Sequence, residues 1–383
     1  MQKDIFQVMK EEYPSYDKLV YKYNFSEEDI KKYYESINLE IKHYKLNLEI
    51  IKQELNSFNY VLDMYNVKYE DVSSIISEIQ GSAAIEGVHS SKKAIEKIIN
   101  KKEDNKVQEI FNLVQAYKYI KLGKEINNKN IKELYDILMT DIDLKENALD
   151  GKYYRKEAVE ISSSNQRVVA KGIDAKDIQK EMDILFSFVQ SGKENDGLYE
   201  YIKAFIIHYM FVYIHPYYDG NGRMARLISQ WSLFNENIEY TLPISEIIKY
   251  DKVNYYNAIQ NTRESYVKND LTYFLKYMLI ASKKLMEVKL IAINYCYELM
   301  NKEIILSDSE VEYLIMILLN YKEDKFDHKK FNSLLKVTDS EKSKEGALKI
   351  LNKLVDQKVL KAKIVKNTKL YELCDEIKNK ELD

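Results

Sequence analysis

Breakers of regular structure are scarce in this chain: its 383 residues include only 3 Pro and 10 Gly. Both interrupt helices, so their scarcity predicts long helices and short connections. Cysteine is nearly missing too. Cys296 and Cys374 stand far apart without metal-type spacing, which argues against a disulfide framework or a zinc site and fits a reducing compartment. No run reaches the roughly 18 apolar residues that span a bilayer, and Met1–Lys10 is mixed polar, unlike a secretory leader. A formal net charge of -3 gives the chain no general pull toward nucleic acid or anionic lipid, although a local basic face stays open. These absences predict a cytoplasmic protein with no membrane partner.

What is present is globular: 45% hydrophobic and 31% charged residues, in a length that suits two or three compact units. Abundant Lys, Ile, Asn and Tyr point to AT-rich coding and carry no function of their own.

Apolar residues from Ile37 to Tyr65 alternate in steps of four and three (Ile37, Ile41, Tyr44, Leu48, Ile51, Leu55, Phe58, Leu62, Tyr65), which predicts one long helix with a coiled-coil-like seam. It either packs on its own domain or serves as an arm for a homodimer. A shorter helix over about 70–85 stops at Gly87, where a C′ glycine belongs. Helical patterns resume at 92–100, 107–122 and 131–140. Val159, Ile161, Val168 and Val169 flank a polar run, Ser162 to Arg167, and predict a short hairpin. Helices return at 175–190 and 198–213, the latter with a broad apolar stripe ending at His215-Pro216. Beyond the loop 219–222, helices are expected at 223–235, 244–262 and 271–300. The last 80 or so residues read as three helices (311–319, 329–335, 344–356) and two strands (359–365, 369–373), a winged-helix pattern. The division expected is 1–69, an N-terminal helical region; 70–300, the central domain; and 301–383, the winged-helix-like domain.

The chemistry concentrates in His215–Arg226, HPYYDGNGRMAR. A Gly-Asn-Gly turn entering a helix aims backbone N–H groups outward where the helix dipole is positive, which makes an anion cradle. Arg223 and Arg226, three apart, share a helical face and can both reach phosphate oxygens. Asp219 offers a hard oxygen of the kind Mg²⁺ takes beside phosphates. His215, across the loop, is the side chain whose ordinary pKa suits proton abstraction near neutrality. Singly, each has a plain structural reading, since a histidine after an apolar helix or a Gly-Asn-Gly turn is commonplace. Their combination in twelve residues is what points to phosphate chemistry. No G-x-x-x-x-G-K-[ST] run offers a P-loop instead.

This segment resembles the Fic family signature, HPFxx-G-N-G-R-xx-R, with Tyr217 in place of the usual Phe. Gly151-Lys152-Tyr153-Tyr154-Arg155 is similar to the family's segment before its flap hairpin, and Tyr255-Tyr256 to a tyrosine pair lining its nucleotide pocket. The resemblance covers about residues 70–285. It implies a mainly α fold, with a Fic-type helical core and a short β-hairpin flap beside the C-terminal winged-helix-like domain. It further implies a protein adenylyltransferase moving AMP from ATP to a hydroxyl of a target protein. The sister Doc group carries Lys where Gly222 stands, so glycine implies the AMP-transferring branch. His215 would deprotonate the hydroxyl and Asp219 would hold Mg²⁺. Gly220, Asn221 and Gly222 would cradle phosphates, Asn221 also through its amide, and Arg223 and Arg226 would take the β- and γ-phosphates. The flap would pin a target segment by strand-like pairing.

Ser82-Ala83-Ala84-Ile85-Glu86-Gly87 resembles the family's inhibitory motif, [S/T]-x-x-x-E-[G/N]. Its position implies a group that carries the inhibitory helix, at about 70–86, before the core in one chain. Glu86 would pair with Arg226 in the γ-phosphate's seat; the plain alternative is a carboxylate bonded locally at a helix end. The 33 tyrosines are mostly packing residues, with self-modification on Tyr, Thr or Ser open as well. His208, seven before His215 on the buried helix, is expected in the core; His43, His89 and His328 stand outside any motif. Other nucleotide or phosphocholine transfer and removal of AMP remain alternative chemistries. A DNA-binding regulator using Lys329, Lys330, Lys336 and Lys344 is the alternative outside enzymology, although acidic residues interleave those lysines.

Overall fold

A computed structural model describes residues 3–12, 16–68, 71–100, 107–142, 148–162, 168–191, 199–238, 242–264, 269–337 and 341–380. Helices α1 (Ile5–Glu11), α2 (Tyr16–Tyr23) and α3 (Glu27–Glu35) open the chain around a small core that they share with Ile50 and Tyr273. Ser26 caps α3 in a capping box with Asp29.

The long helix expected over 37–65 is corrected. Its first third is a hairpin, β1 (Leu39–Ile41) and β2 (Tyr44–Leu46), and only α4 (Leu48–Lys68) is helical. Ile41 and Tyr44 lie on the helical seam but also fit, with Leu39 and Leu46, a strand alternation, and Lys42 turns the chain at φ 56. Tertiary bonds decide: Lys45 N donates to Asn269 O at 3.1 Å, and Leu271 N donates to Lys45 O at 2.7 Å. Tyr44 is buried edge-on to Tyr213. From Leu48 onward the rhythm is helical. Ile51, Phe58, Leu62 and Tyr65 are buried within this chain, Phe58 against Tyr201 and Phe205, so the seam packs on its own domain.

Next come α5 (Asp71–Ile85), α6 (Lys92–Ile99), α7 (Gln108–Ile120) and α8 (Asn128–Leu138). The hairpin β3 (Glu160–Ser162) and β4 (Val168–Lys171) is antiparallel; its tip at 163–167, like Leu198 and Glu70, lies outside the described residues. A 3₁₀ turn at Ala175–Asp177 leads into α9 (Ile178–Gln190), then α10 (Tyr199–Ile214) and α11 (Asn221–Asn235). Described residues of α10 are buried from Tyr201 through Phe211, which makes it the central helix, flanked by α9, α11 and α14 (Thr272–Met300). The single helix expected at 244–262 is two, α12 (Ile244–Tyr250) and α13 (Lys252–Arg263), broken at Asp251 with φ -140 and ψ 46.

The C-terminal part runs α15 (Asp308–Tyr321), α16 (His328–Val337), α17 (Lys344–Asp356), β5 (Leu360–Val365), β6 (Thr368–Leu373) and α18 (Asp375–Lys378). Lys366 and Asn367, both at positive φ, make the two-residue turn of the ribbon. Three helices before a ribbon is the expected order. Lys249 of α12 pairs with Glu312 of α15 and ties this unit to the centre.

One face of α5 is seated by a buried polar network. Both carboxyl oxygens of Glu78 accept from Ser245 N at 3.1 Å. A methyl on Gly81 would stand 3.0 Å from Ser245 Cβ, so this glycine lets α5 lie close on α12. Burial pushes the Glu78 carboxyl up to about 8, against the pull of the Ser245 hydrogen bonds, and the Glu246 carboxylate adds to the rise. Burial would raise Glu246 too, but Lys289 Nζ, 2.6 Å away, holds it below the usual range.

Glu78 should lose its proton near 4.5 in the unfolded chain and near 8 in the folded one. The folded state then binds more protons between those values, so stability falls as pH climbs through that window. Urea unfolding at about pH 5 and about pH 8 should show a decline on the order of a few kcal/mol that Glu78→Gln removes. Equal pH slopes in the two proteins would mean that folding does not hold this proton.

Candidate active site

Helix α10 ends at the site, stopped by the residue pair His215-Pro216. His215 N still donates to Phe211 O at 3.0 Å, but His215 itself adopts φ 54 and Pro216 cannot continue the ladder. A left-handed C-terminal position normally belongs to glycine, so an imidazole there costs backbone energy. Arg155 stabilises the arrangement. Almost fully buried, it donates from Nε to His215 O at 2.9 Å, and its own N–H donates to Pro216 O at 3.0 Å. Burial drives the His215 imidazole down to about 4; the Val212 carbonyl opposes the shift, and the Arg155 and Arg263 cations reinforce it. The ring is therefore neutral at physiological pH and able to accept a proton.

Tyr217 is fully buried and stacks on Tyr135 with ring centroids 3.8 Å apart. The Asn221 amide folds back onto it: Nδ2 donates to Tyr217 O at 2.8 Å and Oδ1 accepts from Tyr217 N at 3.0 Å. This corrects the expectation of an Asn221 amide facing phosphate. Both polar atoms of that side chain brace the loop. Helix α11 also begins two residues earlier than expected, so Asn221 and Gly222 contribute first-turn N–H groups that lack partners inside the helix. Gly220 caps it at φ 79, a geometry that favours glycine.

Asp219 Oδ1 accepts from Gly220 N at 2.6 Å, and Oδ2 lies 3.4 Å from Arg223 Nη2. Arg223 is buried, and its Nε has no hydrogen-bond partner among the described residues. Arg226 is buried and held through Nε and Nη2. Its Nε donates to Ser82 Oγ at 3.0 Å, and Nη2 lies 3.4 Å from Ser82 O and 2.9 Å from Glu86 Oε1. A Cβ on Gly222 would stand 3.3 Å from Arg226 Nη1 and 3.7 Å from Glu86 Oε1, so the glycine keeps this space clear.

Glu86 arrives from the end of α5. Gly87, at φ 81, donates to Ala84 O at 3.1 Å and Val88 N donates to Ala83 O at 3.0 Å, a Schellman closure with Glu86 at the C-cap. A carboxylate is unfavourable at that negative end of the helix dipole. Partial burial would also raise its pKa, yet Arg226 and then Arg223 hold it below the usual value. The guanidinium is thus what fixes the carboxylate there.

Of the tyrosine pair, Tyr256 is 54% exposed, whereas Tyr255 is buried with its hydroxyl 2.7 Å from His208 Nε2. His208 is a core residue, as expected, with burial pushing it down to about 3. His43 Nε2 lies 3.3 Å from Glu181 Oε2. No three His, Cys, Asp or Glu side chains converge as metal ligands among the described residues. No described helix is long and apolar enough to cross a membrane.

Residues 125–233, a span that includes all of His215–Arg226, match the profile of the Fic/DOC family. The chain carries a Fic domain. A Fido domain-containing protein of Dictyostelium discoideum is 43% identical over 44 residues, which are 12% of this chain and 30% of that relative's length. The fold resembles the crystal structure of a Fic family protein from Desulfovibrio desulfuricans G20, with 19% identity, a TM-score of 0.50 and coverage of 85% of this chain and 96% of that one. Fic-1 (residues 134–508) of C. elegans aligns over 64% of this chain and 74% of its own at 18% identity, with a TM-score of 0.45. Glu86 and Ser82 lie outside the matched span and reach the Fic domain only through the packing of α5.

Sequence reasoning missed the roles of Arg155 and Arg263. A signal was present: of 58 lysines and arginines only five are arginine, and four of those five border this site. In NMR titrations the His215 ring should change protonation near pH 4 and stay neutral above it. A midpoint near its ordinary value would mean that the imidazole is solvated.

Proposed function

We propose that this Fic-type transferase moves the AMP portion of ATP onto a hydroxyl side chain of a target protein or of itself, and that Glu86 restrains it. The observation that carries the reading is Arg226. A buried guanidinium at the glycine-opened start of α11 already grips an anionic oxygen at 2.9 Å, the chemistry a terminal phosphate requires.

The residues fit a nucleotide triphosphate. The buried, unpartnered Nε of Arg223, the first-turn N–H groups of α11 and the gap kept open by Gly222 form a polyanion cradle. Asp219, with a partly exposed carboxylate beside that cradle, suits a Mg²⁺ ion held mostly by phosphate oxygens. Such an ion would offset phosphate charge. In the reaction, the target hydroxyl gives its proton to neutral His215 as its oxygen bonds to the α-phosphorus of ATP, and pyrophosphate leaves. Tyr256 borders the cradle, and the β3–β4 hairpin offers an edge for the target chain. While Glu86 holds Arg226, the triphosphate tail lacks its terminal partner and the α-phosphate misses the line of attack.

A charge-assisted pair of this kind is worth about 1.5–3 kcal/mol, so removing it should raise the rate by about one to two orders of magnitude. With radiolabelled ATP, Glu86→Gly should label itself or lysate proteins more strongly by that factor. His215→Ala in the Glu86→Gly background should abolish the label. A folded Glu86→Gly protein that binds ATP but gains no labelling would refute the restraint. Label surviving the loss of His215 would refute the assigned base. Competition by another nucleotide or a phosphocholine donor would reassign the donor.

A further inference from the structure

We propose that Arg155 and Arg263 are positioning residues that lock the base of the β3–β4 hairpin to the loop bearing His215, so that target strand and general base are set by one rigid unit. The inference rests on the proposed transferase activity for its kinetic consequence, but its geometry stands alone.

The Arg155 guanidinium makes three backbone bonds: Nε to His215 O at 2.9 Å, Nη1 to Glu157 O at 2.6 Å just before β3, and Nη2 to Ile173 O at 2.6 Å just after β4. One planar fork thus holds the histidine and both feet of the hairpin. Its own N–H adds the bond to Pro216 O. Gly172 is cut to this fork: a Cβ there would stand 2.6 Å from Arg155 Nη2 and 2.7 Å from Val159 Cγ1. Arg263, at the end of α13, repeats the bridge on the other side. Its Nη1 donates to Lys171 O at 2.7 Å, Nη2 lies 3.5 Å from Tyr213 O, and the guanidinium lies over the Tyr213 ring at 5.1 Å.

Composition supports the same assignment independently. Of its 58 lysines and arginines only five are arginine: Arg155, Arg167, Arg223, Arg226 and Arg263. Arg223 and Arg226 form the anion cradle, and Arg167 falls between the two strands, outside the described residues. The hydrogen bonds of Arg155 and Arg263 go to backbone carbonyls, which a planar, multi-pronged donor can span and a lysine cannot. A displacement of about 1 Å between base and target can cost about 100-fold in rate, so a rigid bridge has kinetic value.

Two variants in the Glu86→Gly background test this from opposite sides. Arg155→Lys keeps the charge and removes the fork; Gly172→Ala keeps the arginine and drives a methyl into it. Both should lower kcat for labelling by about tenfold to a hundredfold, while the ATP dissociation constant from calorimetry stays within about twofold. Hydrogen exchange should accelerate together in 155–162, 168–173 and 215–219, and remain unchanged in α7 and α8. Undiminished kcat in folded variants overturns the proposal, as does exchange that rises in the hairpin without the His215 loop. Parallel loss of ATP binding, or unfolding of both variants, also overturns it by giving Arg155 a merely structural role. If the Glu86→Gly parent itself fails to label, the transferase reading fails, and the exchange pattern alone decides the bridge.

Discussion

A buried cation must be compensated, and here the cation is Arg226. Its guanidinium lies between the end of α5 and the start of α11, bonded through Nε and Nη2 to the Ser82 hydroxyl, the Ser82 carbonyl and the Glu86 carboxylate. Without those partners the group would sit desolvated and unpaired, an expense of several kcal/mol. Only another anion can replace the carboxylate on comparable terms. The same demand therefore holds α5 against the Fic domain and underlies the proposed exchange of carboxylate for phosphate.

The seating of α5 explains why its last residue arrives there. Glu78, Ser82 and Glu86 recur every four residues and share one helical face. Glu78 anchors the face to α12 through Ser245, Gly81 allows the close approach, and Ser82 and Glu86 then meet Arg226. Gln80 Nε2 bonds Ser90 O at 2.9 Å and steadies the chain beyond the helix. The lower helix is fixed by buried polar bonds, whereas the terminal carboxylate remains one-third exposed. Firm anchoring with a replaceable tip is what the proposed competition with a substrate would demand.

How much of this was legible in the sequence depends on range. Proximity among near-consecutive residues was readable, because Asp219, Arg223 and Arg226 owe their neighbourhood to one loop and one helix. So was the stop at Gly87. The hairpin at 39–46 was not, since Ile41 and Tyr44 satisfy two periodicities and the choice came from backbone bonds to residues 269–271. The Asn221 amide was misjudged because its partner is the backbone of Tyr217, four residues back in a loop whose path no pattern gives. Arg155 looked like one more basic residue, yet it lies 60 positions from the histidine it supports. Arginine scarcity carried that information in composition, where periodicity does not look.

The C-cap location of Glu86 sets how the proposed restraint would be released. Three backbone bonds, from Glu86, Gly87 and Val88, close the final turn of α5. Helix ends fray at a small fraction of the free energy of global unfolding. The carboxylate can thus swing clear by loss of a single turn, with Glu78 and Gly81 still docked and no rearrangement of whole domains. A brake mounted on a fraying end would never be applied all of the time, so the enzyme proposed above would leak.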